Sequence, residues 1–174
     1  MPVLVLHASE HGSTVEVAER VAARLVTRGI PVDVHPFDKS PTPGAYTAVV
    51  IGSAVHDGAW LPQAADFVHR HRDALTVLPV WMFSVGMTGA LRGPMRRLAE
   101  HTEQRAIVRL RALIGPRGYH RFSGVIHPDH LNRTGRVLFR LFTGRYGDYR
   151  DWTAIDAWTD SIAEALTVDT SASQ

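Results

Sequence analysis

The most constraining feature of this chain is a regular alternation of short apolar runs with longer amphipathic stretches. Residues 3–7, 48–53 and 77–83 are largely apolar, as is typical of strands buried on both faces of a parallel sheet. Between them the period changes, and residues 13–28 place one apolar stripe on a helix, formed by Ala18, Val21, Ala22 and Leu25. This pattern predicts an α/β fold in which helices cover both faces of a doubly wound parallel sheet.

The remaining elements complete a strict strand–helix alternation. Residues 31–35 and 122–126 are the predicted second and fifth strands, and the second has the polar alternation of a sheet edge. A helix is expected from Pro62 to about residue 74, because proline suits a first helical position. Gly29 is a natural stop for the first helix.

The C-terminal half is predicted to contain two further helices. One covers residues 91–114, with an interruption near 101–104 where the apolar spacing fails, and the last begins at Asp151. We expect a single domain over residues 1–168, followed by a disordered polar tail at 169–174.

The composition excludes several classes of protein. The 174 residues include no cysteine, which excludes disulfides, iron–sulfur clusters and thiol nucleophiles. The longest apolar run has seven residues and contains a proline, whereas a membrane-spanning helix needs about 20. The first residues also lack the pattern of a signal peptide. We therefore expect a soluble, cytoplasmic protein.

The small net charge of +2 conceals a strong asymmetry. Residues 1–91 have a net charge of −2, and residues 151–174 contain five acids and no base. Residues 92–150, by contrast, contain thirteen arginines and four acids, a net charge of +9. Clustered positive charge favours an anionic partner, which leaves open a phosphate, a carboxylated ligand, nucleic acid or anionic lipid.

The loop after the first strand has the composition of a phosphate-binding turn. Its residues are Ser9, Glu10, His11, Gly12, Ser13 and Thr14. Hydroxyls on both sides of a glycine would lie beside the free amides of a helix N-terminus, which attract anions without a lysine. The lack of GxGxxG and Walker motifs disfavours a dinucleotide or a nucleoside triphosphate. In the alternative interpretation, Ser13 and Glu16 only form a capping box.

Two more small-residue loops follow the third and fourth strands, at the edge where ligands bind in such sheets. The first contributes Ala54, Val55, His56, Gly58 and Trp60, and the second contributes Ser84, Val85, Gly86, Met87, Thr88 and Gly89. Small residues allow backbone amides to approach a flat ligand, on which the Trp60 indole could stack. Packing inside the core is the alternative role of Trp60.

Together these motifs resemble the flavodoxin-like family. The sequence Ser-Glu-His-Gly-Ser-Thr at 9–14 is similar to its phosphate loop. Residues 49–58, 67–71 and 83–85, and the Asp-Tyr-Arg-Asp-Trp sequence at 148–152, resemble the branch of oxygen-independent protoporphyrinogen oxidases. The similarity extends from residue 3 to about residue 166.

The resemblance implies a five-stranded sheet of order 2-1-3-4-5 and one non-covalent FMN. The FMN phosphate would lie on residues 9–14 and its ring between the loops at 53–60 and 84–89. This branch is associated with removing hydrogens from protoporphyrinogen IX and passing electrons to a quinone. No catalytic side chain is assigned, because the flavin itself transfers the electrons. His56 is a candidate donor to the ring and His11 a candidate partner of the phosphate.

A basic insertion at about residues 127–148 separates the fifth strand from the last helix. It is predicted to form an amphipathic helix, with apolar residues opposite Arg133, Arg136 and Arg140. Such a helix could lie on an anionic membrane, making the protein peripheral to it, or contact a carboxylated substrate. A surface helix packed on the sheet is the alternative.

Other functions are less consistent with the sequence. The histidine pairs at 69/71 and 127/130 lack nearby carboxylates at ligand spacing, so no metal site is expected. The sequence disfavours nucleic acid as a partner, because the arginines are not interleaved with stacking aromatics. A flavodoxin-type electron carrier and a flavin-free interaction module remain as alternatives, and the oligomeric state is left open.

Overall fold

A computed structural model of the chain describes residues 1–86, 104–127 and 146–172. The described strands are β1 (Val3–Ala8), β2 (Val32–Pro36), β3 (Ala48–His56), β4 (Ala59–Trp60), β5 (Val80–Gly86), β6 (Gly118–Ser123), β7 (Val125–Ile126) and β8 (Gly147–Asp148). The α-helices are α1 (Ser13–Thr27), α2 (Pro62–Arg70), α3 (Arg72–Val77), α4 (Arg105–Ile114) and α5 (Trp152–Ala172).

The main sheet has the predicted doubly wound order. Five parallel strands lie in the order β2-β1-β3-β5-β6, and the short β4 pairs antiparallel with the end of β3. When β4 is set aside as part of a hairpin, this is the expected order 2-1-3-4-5. The position of β2 at one edge is also confirmed. A separate two-stranded clasp joins β7 to β8.

The core has two layers, one on each face of the sheet, because successive side chains of a strand point to opposite faces. Leu4 and Leu6 of β1 pack in the layer covered by α2, α3 and α4. Val3 and Val5 pack in the layer covered by α1 and α5. The apolar stripe predicted for the first helix is buried in this second layer.

Three predicted element boundaries were wrong. The strand placed at 77–83 is β5, which begins at Val80 because Pro79 has no N–H to donate to the sheet. Val77 instead ends α3, where it is 82% exposed. The helix that begins at Pro62 divides into α2 and α3 at His71. The fifth strand is β6, four residues earlier than predicted, because its half-buried polar residues hide its apolar pattern.

The ends of the other elements also differ from prediction. Helix α5 continues to Ala172, so most of the tail predicted to be disordered at 169–174 is helical. The described part of the long predicted helix is α4, which begins at Arg105. Residues 91–103 of that prediction, and most of the basic insertion with Arg133, Arg136 and Arg140, lie outside the described residues. None of the described helices is long and apolar enough to span a bilayer.

Candidate functional site

A cleft of about 230 Å³ opens at the carboxyl ends of β1, β3 and β5. Its walls come from the three predicted loops and from one further segment, residues 124–126, after β6. The predicted residues that line it are Ser9, Glu10, His11, Ser13, Ala54, Val55, His56, Val85 and Gly86. The topology therefore brings most of the described candidates together at the sheet edge where α/β proteins bind ligands.

The loop after β1 leads into α1 through Gly12, which adopts φ +90° and is the N-cap residue. The Gly12 N–H donates to Ser9 Oγ at 2.9 Å. Because the N-cap residue is a glycine, it makes no side-chain hydrogen bond to the first amides of α1. The capping-box interpretation of Ser13 and Glu16 was therefore wrong: Ser13 is already helical, and the Glu16 carboxylate is bound by Arg150.

Thr14, in the first turn of α1, carries the clearest signature of a binding site. The residue is fully buried, and its Oγ1 has no hydrogen-bond partner among the described residues. A buried hydroxyl without a partner costs about 1–3 kcal/mol. Beside uncapped amides at the positive end of a helix dipole, this hydroxyl is suited to a phosphate group.

The second wall is the β3–β4 hairpin. Its two-residue loop, Asp57 and Gly58, has φ values of +47° and +78°, as a tight hairpin turn requires. The turn presents His56 to the cleft. The imidazole Nδ1 lies 3.5 Å from Glu10 Oε2, and Nε2 lies 3.8 Å from Asp57 Oδ2. His56 thus links two of the loops across the mouth of the cleft.

Trp60 and Ser84 are not brought to the cleft. The Trp60 indole is 4% exposed and packs in the layer covered by α2. Its Nε1–H donates to Ser84 Oγ at 2.7 Å, and Ser84 Oγ lies 2.9 Å from Tyr119 Oη. The prediction that Trp60 stacks on the ligand is therefore corrected, because antiparallel pairing with Val55 turns this side chain into the core.

Other predicted residues have different outcomes. Gly12 and Gly58 shape their loops without appearing among the described lining residues. Thr14 is not among them either: its side chain is buried, whereas the preceding Ser13 does line the cleft. Met87, Thr88 and Gly89 lie outside the described part of the chain. Across the residues described, no group of three or more histidine and acidic side chains could hold a metal ion.

Sequence reasoning missed Gly124, which allows the fourth wall to approach the first loop. A Cβ on this residue would lie 2.8 Å from Val85 Cγ1 and 3.1 Å from Ser13 Oγ. The available signal was an isolated glycine inside a predicted strand, which often marks a close backbone approach. Val125 and Ile126 extend the same wall and pair with β8.

Comparison with known proteins identifies related sequences. The family described as "Flavodoxin domain" matches residues 4–151. "Protoporphyrinogen IX dehydrogenase [quinone]" of Escherichia coli (strain K12) is 30% identical over 99 residues, which covers 56% of this chain and 54% of that protein. The matched region thus spans about half the length of this curated relative.

Solved structures share the fold at lower sequence identity. A flavodoxin from the domain Archaea matches with a TM-score of 0.63 and 14% identity, over 96% of this chain and 99% of that one. Rubredoxin oxygen:oxidoreductase of Desulfovibrio gigas matches with a TM-score of 0.63 and 13% identity, over 96% of this chain and 36% of that one. These likenesses concern the fold alone.

Proposed function

Because the chain belongs to the flavodoxin domain family, whose cofactor is FMN, we propose that it is an FMN-dependent oxidoreductase acting on a porphyrinogen. In this proposal a quinone receives the electrons. The choice of substrate is supported by the 30% identity to the Escherichia coli dehydrogenase and by the net charge of +9 over residues 92–150. Positive charge suits the carboxylate groups of a porphyrinogen.

The observation that carries the proposal is the unpartnered Oγ1 of Thr14 beside the uncapped start of α1. These groups, together with the Ser9 and Ser13 hydroxyls, would hold the FMN phosphate. The β3–β4 hairpin and the end of β5 would enclose the ring. Bound FMN supplies the capacity to accept hydrogens and electrons from an organic substrate.

His56 is the side chain proposed to exchange protons during the reaction. Its imidazole lines the cleft, and histidine is the side chain best suited to proton transfer near neutral pH. The Glu10 carboxylate, 3.5 Å from Nδ1, would orient the ring so that it can accept a proton released by the substrate.

The test is anaerobic turnover of protoporphyrinogen by the FMN-loaded protein, with menadione as acceptor and porphyrin fluorescence as readout. We expect FMN-dependent turnover, and His56→Asn should lower it by roughly 100-fold, the typical scale of a lost acid–base group. His69→Asn, an exposed histidine on α2, is the matched control and should retain full rate.

Two results would contradict the proposal. An FMN-loaded protein that leaves the porphyrinogen unoxidised, yet exchanges electrons with a flavin reductase, would be an electron carrier. Equal rates for the His56 and His69 variants would exclude His56 from proton transfer.

Contact with anionic lipid through Arg133, Arg136 and Arg140 stays a prediction of this proposal. Replacing these three arginines by glutamine should reduce co-sedimentation of the protein with anionic liposomes. Unchanged co-sedimentation would exclude this role.

A further inference from the structure

Arg150 lies at the centre of a compact ion-pair cluster that the binding of FMN does not by itself explain. Its side chain is only 10% exposed. The guanidinium donates to both carboxylate oxygens of Asp148, at 2.9 and 2.6 Å, and to Glu16. It also lies 4.7 Å from the ring centroid of Trp152. The hydrogen bonds from Arg150 hold the pKa of the Asp148 carboxyl below its ordinary value.

The cluster joins two parts of the molecule that are distant in sequence. Glu16 belongs to the first turn of α1, the turn that contains Thr14. Asp148 is the last residue of β8, which pairs with the wall residues Val125 and Ile126. The Tyr149 N–H also donates to Gly124 O at 3.3 Å, and the Gly124 N–H to Gly86 O at 2.9 Å. Arg150 therefore fastens the β7–β8 clasp, and with it one wall of the cleft, to the start of α1.

The charge of Glu16 gives this contact a second consequence. A carboxylate in the first turn of a helix is favourable for the isolated helix, but it repels a phosphate bound at the same end. Arg150, itself mostly buried, places a positive charge directly against that carboxylate, which is 57% exposed.

We propose that Arg150 is a positioning residue for the phosphate of the cofactor: it neutralises Glu16 and holds it, and so makes the start of α1 selective for FMN over riboflavin. The inference rests on the proposed placement of the FMN phosphate at α1. It assigns no chemical step to Arg150, which acts on the phosphate through Glu16.

The experiment measures the dissociation constants of FMN and riboflavin for the full chain, by quenching of flavin fluorescence at low and high salt. Arg150→Gln should weaken FMN binding about tenfold at low salt, which corresponds to about 1.4 kcal/mol. Riboflavin has no phosphate, so its affinity should change less than twofold. The FMN effect should shrink at high salt, because salt screens the uncovered charge of Glu16.

Two further variants distinguish the effect of the Arg150 charge on Glu16 from a general structural effect of Arg150. Glu16→Gln in the Arg150→Gln background should restore most of the FMN affinity, because the repelling carboxylate is gone. Arg150→Lys should retain most of it. The control is Arg117→Gln, which removes the same charge from an exposed pair with Asp169 at the opposite end of the sheet, next to the start of β5.

The results of these binding experiments can be told apart from a failure of the proposed function. Equal losses of FMN and riboflavin affinity in Arg150→Gln, or no recovery in the double variant, would overturn the selective role of Arg150. Failure of the wild-type chain to prefer FMN over riboflavin would overturn the phosphate placement itself. Absence of porphyrinogen turnover would affect only the substrate assignment.

Discussion

The two ends of helix α1 differ in whether their polar groups find hydrogen-bond partners within the chain. At its C-terminal end Gly29 adopts φ +79°, its N–H donates to Val26 O at 2.9 Å, and the Ile30 N–H donates to Leu25 O at 3.1 Å. This is a complete Schellman motif, which satisfies the last carbonyls of the helix. At the N-terminal end Gly12 also has a positive φ, but this N-cap residue makes no side-chain cap and Thr14 Oγ1 has no partner among the described residues.

The C-terminal half is also tied to a neighbouring helix. Arg20, Arg24 and Arg28 follow one another at intervals of one turn and pair with Asp156 and Asp160 of α5. Arg20 and Arg24 each make two hydrogen bonds to one carboxylate, at 2.6–2.8 Å. We refer to these five residues as the arginine ladder.

The difference shows where this fold satisfies its polar groups and where it leaves them for a ligand. Both ends of any helix expose backbone groups that need partners. The end remote from the cleft obtains them from its own chain, whereas the end at the cleft has no N-cap side chain and keeps the buried Thr14 hydroxyl without a partner among the described residues. Unsatisfied groups reduce the stability of the free protein, and a ligand that satisfies them binds more tightly as a result.

The largest effect should come from removing the unsatisfied hydroxyl. Thr14→Val keeps the shape of the side chain but deletes Oγ1. We expect FMN affinity to fall by roughly 10–100-fold, the scale of a hydrogen bond to a charged group. The FMN-free protein should become more stable by about 1 kcal/mol, because a buried polar atom without a partner is removed. Fluorescence titration and urea unfolding measure the two quantities.

Thr159→Val provides the matched control. Thr159 is also fully buried, but its Oγ1 donates to Ile155 O at 2.8 Å within α5. This variant should lose a little stability and bind FMN normally. If both variants were destabilised to the same extent, with FMN affinity intact, the N-terminal end of α1 would not be the phosphate site.

A smaller effect should distinguish the two left-handed glycines. Neither Gly12 nor Gly29 has any atom within 4 Å of the position a Cβ would take. The cost of an alanine at either position therefore comes from backbone strain alone. Each alanine variant should lose about 1–2 kcal/mol of stability. Only Gly12→Ala should also weaken FMN binding, because relief of its strain moves the amides beside the phosphate. Equal FMN affinities for the two variants would contradict this assignment.

The sequence was sufficient for the features that depend on local periodicity. The stripe of α1 was predictable because burial of one face imposes a repeat on nearby residues. The apolar core strands β1 and β3 were located for the same reason. The strand order, by contrast, came from the resemblance to the flavodoxin-like family. The edge strand β6 was misplaced, because its half-buried residues impose no comparable repeat.

The parts of the site that the sequence did not predict correctly depend on contacts between residues that are distant in the chain. Trp60 faces the core, where its indole N–H bonds Ser84, 24 residues away. The Glu16 carboxylate is bound by Arg150, 134 residues away. No local pattern encodes such partners. The loop composition correctly indicated where the cleft would form, but only the packed structure shows which hydroxyl is left without a partner.

The smallest expected effect concerns the C-terminal half of α1, where the arginine ladder lies. Asp160→Asn removes the carboxylate that Arg24 and Arg28 share. The pairs are at the surface, so the melting temperature at pH 7 should fall by only roughly 2–4 °C. The two arginines hold the pKa of Asp160 well below its ordinary value. The stabilisation is therefore present above the unfolded pKa of about 4 and is lost as the pH falls below it.

The difference in melting temperature between wild type and Asp160→Asn should accordingly narrow as the pH is lowered from 5 towards 2. FMN affinity at pH 7 should stay unchanged. Asp73→Asn is the control, because Asp73 is 93% exposed and pairs only with its neighbour Arg72 among the described ion pairs. A difference in melting temperature that does not change with pH would mean that Asp160 acts through packing and not through its charge. Weaker FMN binding would mean that the arginine ladder and the cleft are coupled, and that the two ends of α1 do not divide stability from binding.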